Sequence, residues 1–286
     1  MSMNIRNKIN VAAAQFDIKL FEKEYNLKKM ESMAIEAKEK YNSDIIVFPE
    51  SAIGGYSFTT MEEVISVSER IDGFSVRRMS DIAVKYGIAI VFGMSELTDN
   101  TVYNSSVLCL PDAKVHIYRK THIPLLGLDG FVAKGDSLEV FDTEFGKVGL
   151  IVCFDMRFPE AVREEALQGA RLIAHSTNLP STGRVYAEFI NRTRACENRV
   201  FIVSSNRIGN ERGYSFIGHS QIIDCNGNVL QEIGEKEGII AETIDLSKAE
   251  EKDVIIHPGV HEMRLFSSRR PEIYHNIANL NISRQE

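Results

Sequence analysis

The sequence predicts a layered α/β domain built on mixed sheets, with residues 1–286 as one domain. Three observations carry that reading. Short β-branched apolar runs alternate with longer amphipathic stretches, the pattern of βα units. Other runs are joined by tight turn signals and read as antiparallel hairpins. Several runs are apolar at consecutive positions, as strands covered on both faces are.

Taken in order, INVAAAQF (9–16) is a strand. Residues 23–41 form a helix rich in Glu and Lys, with Leu27, Met30, Met33 and Ala37 at near-helical spacing. DIIVF (44–48) is a second buried strand. GFSVRRMSDIAVKYG (73–87) is a helix stopped by Gly87 and leading into the strand IAIVFG. VYNSSVLCL (102–110) and KVHIYRK (114–120) form a hairpin around a Pro-Asp turn. KVGLIVC (147–153) is a strand, FPEAVREEALQGA (158–170) a helix with Pro159 in its first turn, and RLIAHST (171–177) a strand. A helix over 182–199 precedes the strand VFIVSSN (200–206). The remainder to about 245 is strand-like, with a hairpin signal at Asn226-Gly227. From 247 to 286 the chain reads as an irregular, polar C-terminal extension.

Composition narrows the function. With 44% hydrophobic residues the chain can bury a sizeable core. Its formal net charge of −7 disfavours nucleic acid and anionic membranes as partners. The first residues lack the apolar core of a signal peptide, and no apolar run reaches membrane-spanning length. Cys109, Cys153, Cys196 and Cys225 are far apart with no CxxC pair, which suggests reduced thiols and a cytoplasmic location. His257 and His261 lie four apart, but Pro258 and Gly259 keep them off one helical face, so a metal site is not expected.

Three chemically complementary residues close three of the strands: Glu50 after DIIVFP, Lys120 after KVHIYR, and Cys153 after KVGLIV. Ligand sites in α/β sheets gather beyond the carboxyl ends of strands. A cysteine attacks a carbonyl as thiolate, so a base must take its proton, and Glu50 can do so. Lys120 and the backbone N–H of Phe154 can stabilise the tetrahedral oxyanion. The helix starting near Pro159 would present its N-terminal dipole to Cys153 and favour thiolate. Each residue alone has a plainer reading, the cysteine as core filler and the charged pair as solvated loop residues.

The surrounding motifs make the pattern specific. AAAQFDI, FPESAIGGY, YRKTHIP and CFDMRFPE occur in order, followed by RACENRVFIV, the N-R-x-G of Asn206 to Gly209, FIGHSQII and RRPEIY. In these, over nearly its whole length, the chain resembles the nitrilase superfamily of carbon–nitrogen hydrolases. The resemblance implies a four-layer αββα sandwich and a thioester mechanism, with Glu50 as base, Lys120 as oxyanion stabiliser and Cys153 as nucleophile. It implies no metal or organic cofactor, and a homodimer or higher homo-oligomer in which the segment from 247 packs on a partner subunit. One departure stands out. The loop THIPLLGLDGFVAKGD lacks the second glutamate many members carry, and Asp129 is the nearest acidic substitute.

Phe154-Asp155 after the nucleophile resembles amidase branches rather than the Trp-Glu of nitrile-cleaving members. The expected reaction is hydrolysis of a small linear amide to carboxylate and ammonia. N-carbamoyl hydrolysis and then nitrile hydrolysis are alternatives, and a catalytically silent binding member is the non-enzyme reading. Arg157 either clamps a substrate carboxylate or pairs internally with Asp155, Glu160 or Glu164. Asn178 and Tyr56 occupy substrate-contacting positions by the same resemblance, and His122 is expected to support the site rather than act in it.

Overall fold

The apolar runs fold into two six-stranded sheets laid face to face, each covered on its outer side by helices. The computed structural model describes residues 6–279, in two units that meet in sequence at Glu250 and Glu251. Residues 1–5 and the last part of the predicted extension, 280–286, lie outside the described residues.

Along the chain, β1 (Lys8–Gln15) and α1 (Lys23–Tyr41) precede β2 (Ile45–Val47), α2 (Met61–Val67) and α3 (Phe74–Tyr86). Next come β3 (Ala89–Thr98), β4 (Thr101–Cys109), β5 (Val115–Arg119), β6 (Val140–Thr143) and β7 (Gly146–Val152). Then follow α4 (Pro159–Leu167), β8 (Leu172–Ser176), α5 (Asn191–Asn198) and β9 (Phe201–Ser205). The small strands are β10 (Ile208–Glu211), β11 (Tyr214–Ile217), β12 (Gln221–Ile223) and β13 (Val229–Glu232), and β14 (Gly238–Asp245) closes the first unit's strands.

The two sheets share one plan. In the first, ordered β14-β1-β2-β3-β4-β5, the strands β1, β2 and β3 are parallel and the flanking pairs antiparallel. In the second, ordered β13-β12-β9-β8-β7-β6, the strands β7, β8 and β9 are the parallel trio. Strand alternation explains the layers. Ile45 and Val47 of β2, and Val148, Leu150 and Val152 of β7, point into the core between the sheets. Ile46 and Phe48 point outward, under Leu27, Met30 and Ala34 of α1 and Val76 and Met79 of α3. Ala161 and Val162 of α4 and Ala195 of α5 are buried over the second sheet. The result is the αββα sandwich that the resemblance implies.

Three local expectations change. The strand KVGLIVC ends at Val152, and Cys153 opens a 3-10 turn (Cys153–Arg157) instead. The helix over 182–199 begins as a 3-10 turn and a π-helical turn (Tyr186–Ile190) before α5, a form found often at functional sites. Leu246 and Ala249, at the predicted start of the irregular tail, belong to the inter-sheet core.

The second unit is also less irregular than expected. β15 (Asp253–His257) and β16 (His261–Arg264) pair antiparallel, with His257 opposite His261 across the turn. Its apolar side chains Ile255, Ile256 and Val260 are exposed, so no buried face marked it in the sequence.

Gly93 of β3 is where strand packing meets the site. A Cβ there would lie 2.3 Å from the Ser51 nitrogen and 2.6 Å from Glu50 Cα, both backbone atoms. We expect Gly93→Ala to push Glu50 out of place and destabilise the fold by about 1–3 kcal/mol. Chemical denaturation read beside kcat checks both effects.

Candidate active site

Glu50 sits just past β2 in a turn whose close approach to β3 Gly93 makes possible. Lys120 is the first residue beyond β5. Its N–H donates to Asn104 O (2.9 Å), and its carbonyl accepts from Gly135 N (2.8 Å). Asp129 lies in a 3-10 turn (Gly127–Phe131), and Gly127 there has φ 51°, where a Cβ would lie 2.6 Å from Tyr56 O. Leu128 N donates to Tyr56 O at 2.7 Å, so the Tyr56 and Asp129 loops are joined.

These segments deliver one buried cluster. Lys120 Nζ donates to Glu50 Oε1 at 2.8 Å and to Asp129 Oδ2 at 2.5 Å. Asn104 Nδ2 donates to both carboxylates, at 2.8 Å to Glu50 Oε1 and 2.8 Å to Asp129 Oδ1. The Tyr56 hydroxyl donates to Asp129 Oδ2 at 2.7 Å. Asp129 therefore stands directly against the lysine.

Burial pushes Glu50 above the ordinary carboxylate value, and Lys120 and Asn104 pull against it. The two carboxylates raise Lys120 despite its burial, so its ammonium persists. Burial, then Asp129, raises the Tyr56 phenol, which stays a donor.

Cys153 is half-buried and holds φ 43°, a left-handed conformation that a non-glycine residue adopts only where its surroundings enforce it. The enforcing group is the buried Asp155 carboxylate. It accepts from Val152 N (3.2 Å), Tyr118 OH (2.8 Å), Thr121 Oγ1 (3.0 Å) and His122 N (2.8 Å). One carboxylate thus ties the cysteine's turn to the segment that carries Lys120. The His122 ring stacks on Phe158 at 3.9 Å, with Nδ1 2.8 Å from Asp155, so it supports this junction. The expected thiolate-favouring dipole does not prevail. Burial and the Glu50 charge push the thiol up to about 12, while Lys120 pulls it down. A 3-10 turn separates Cys153 from the first turn of α4, and desolvation outweighs so short-ranged a dipole.

Cys153 opens onto a cavity of about 310 Å³, also lined by Tyr56, Phe154, Arg157, Asn178 and Tyr186. Glu50, Lys120 and Asp129 lie behind its wall, fully buried or nearly so. Asn178 donates from Nδ2 to Glu50 O at 2.9 Å. Arg157 makes none of the internal ion pairs considered for it. Its guanidinium lies 3.8 Å over the Tyr186 ring and 5.0 Å from that of Phe154, exposed on the cavity wall. The π-helical turn that carries Tyr186 sets up this stacking.

All eight sequence-predicted site residues therefore gather around one locus. Reading from sequence missed Asn104, a polar residue in a strand whose pattern resembles any other. It also missed Glu211. This carboxylate is paired with the buried Arg207 at 2.7 Å and accepts from Tyr56 N (2.9 Å) and Ser57 N (2.5 Å). The N-R-x-G motif, which contains Arg207, was the available signal.

Known proteins agree with this architecture. A family model described as carbon–nitrogen hydrolase matches residues 10–253. The chain is 35% identical over 270 residues to a nitrilase of Pyrococcus abyssi, covering 93% of this chain and 99% of that protein. It is 32% identical over 248 residues to 2-oxoglutaramate amidase of Bacillus subtilis, covering 85% and 93%. A nitrilase-superfamily structure from Saccharomyces cerevisiae, of branch 10, matches with TM-score 0.77 at 26% identity, over 86% of this chain and 93% of that one. The chain belongs to the carbon–nitrogen hydrolase family. It is a hydrolase of the amidase type.

Two expectations follow. Asn104→Leu removes a donor that favours ionised Glu50, so Glu50 rises further. If Glu50 acts as a base, the acid limb of kcat/KM moves to higher pH, which a pH–rate profile reads. Asp155→Ala strands several buried donors and is expected to cost on the order of 3–5 kcal/mol of stability by chemical denaturation.

Proposed function

We propose that the protein hydrolyses a small linear amide to its carboxylate and ammonia through a thioester on Cys153. The observation that carries this reading is the buried Glu50–Lys120–Asp129 cluster, whose charges act on a thiol held at a strained turn. With the thiol protonated at rest, Glu50 takes its proton as Sγ attacks the amide carbon. The Lys120 ammonium and the Phe154 N–H stabilise the oxyanion, and Glu50 returns the proton to the departing ammonia. Water activated by Glu50 then attacks the thioester and releases the acid. Asp129, held by Tyr56, fixes Lys120 and replaces the second glutamate of related members.

The exposed Arg157 face suits a substrate carboxylate. Acidic amides of the kind named by the Bacillus subtilis relative are therefore the first substrates to try. We also infer a homodimer in a cytoplasmic setting. The exposed Val185 and Phe189 near α5 support a self-association surface on the first unit, and the second unit separately exposes Ile255, Ile256 and Val260. Among the described residues no helix is long and apolar enough to cross a membrane.

The deciding assay is ammonia release from short amides, ω-amides of dicarboxylates, N-carbamoyl amines and nitriles. We expect turnover of amides, loss of activity in Cys153→Ala, and a fall in kcat on the order of 10²–10⁴ in Glu50→Gln. Turnover of nitriles with no amide cleaved overturns the reading. Because Lys120 is raised and keeps its proton, no alkaline loss from that group is expected below its ordinary value of 10.5.

A further inference from the structure

The deep wall of the cavity is polar and only partly satisfied. His175, Asn178 and Asn191 line it and are 1%, 2% and 1% exposed. Each keeps one polar atom without a hydrogen-bond partner among the described residues: His175 Nε2, Asn178 Oδ1 and Asn191 Oδ1. Buried polar atoms are seldom left in that condition in folded proteins, and here they belong to side chains that border the nucleophile's own cavity.

The remaining atoms of these side chains are engaged, which fixes what the free ones offer. Register places His175 of β8 opposite Ser204 of β9, with Nδ1 and Oγ 2.9 Å apart. Asn191 donates from Nδ2 into the same Ser204 oxygen at 3.3 Å. Ser204 can accept from both neighbours, so the ring proton is set elsewhere: the Cys153 backbone carbonyl strengthens this histidine's hold on a proton, which with Nδ1 at Ser204 favours the ring proton on Nε2. Burial lowers this histidine to about 4, so the ring is neutral under working conditions. The wall thus presents one neutral donor, His175 Nε2–H, and two acceptors, Asn178 Oδ1 and Asn191 Oδ1. A carboxylate would face two carbonyl oxygens and no positive charge there. The cationic Arg157 lies at the exposed part of the cavity instead.

We propose that His175 and Asn191, backed by Ser204, form a specificity subsite for an uncharged group on the substrate's acyl chain that both accepts and donates a hydrogen bond, a hydroxyl or a carboxamide. The chemistry at Cys153 rests on the amidase reading above, whereas binding at this wall does not.

Calorimetric titration of Cys153→Ala protein with 4-hydroxybutanamide and pentanamide, which differ by a hydroxyl in place of a methyl, tests it without turnover. The hydroxyl compound is expected to bind at least about tenfold more tightly, since a site built to pair a hydroxyl rejects the analogue that lacks it. Adding His175→Phe should bring the two affinities within about threefold, while His175→Gln, which keeps a neutral donor, should retain most of the preference. Equal binding of the two compounds by Cys153→Ala overturns the proposal, as does a preference that survives His175→Phe. If His175→Phe fails to fold, the comparison in Cys153→Ala alone decides. Ammonia release from pentanamide by the unsubstituted enzyme reports separately on the amidase reading.

Discussion

A lysine ammonium sealed away from water is the constraint around which this molecule is arranged. Lys120 has no solvent to stabilise it, so its charge must be met by protein groups at hydrogen-bond distance. Those groups come from the turn after β2 and the short turn at Asp129. Asn104 of β4 and Tyr56 bind the carboxylates in turn. Four stretches of chain are thereby fixed relative to one another. Two carboxylates around one ammonium also leave the cluster with an excess of negative charge. Burial first, and the Glu50 charge second, keep the nearby thiol protonated at rest.

Two further carboxylates lock the surroundings. Asp155 gathers donors from the β7 terminus and from the segment around Lys120, so the strained Cys153 backbone and the lysine move as one piece. Glu211, neutralised by Arg207, holds the backbone at Tyr56 and Ser57. Networks of this kind stiffen a site when every member is satisfied, and removing one member exposes the cost of the others.

Much of this was legible in the amino-acid order, for physical reasons. Strands covered on both faces write themselves as apolar runs, and Glu50, Lys120 and Cys153 stand out because charge or a thiol follows such a run directly. Asn104 and His175 lie inside strands, where nothing distinguishes a polar side chain aimed at a site from one that is merely tolerated. α2 spans only seven residues, too few to establish a helical period. The β15–β16 hairpin has no buried face to produce alternation. The internal ion pair considered for Arg157 does not form, and the guanidinium lies against aromatic rings, a contact with no spacing rule in sequence. The thiol's tendency could not be read from a helix start alone, because depth of burial decided it.

On the proposed mechanism, the reacting groups and the cavity walls are supplied by nearly separate sets of residues. Glu50, Lys120, Asp129 and Asn104 stand behind the cavity surface, while Cys153, Tyr56 and Phe154 belong to both sets. Selection can therefore remodel the positions around Arg157, His175 and Tyr186 while leaving bond cleavage intact. A lineage built on this scaffold can change what it consumes without reinventing how.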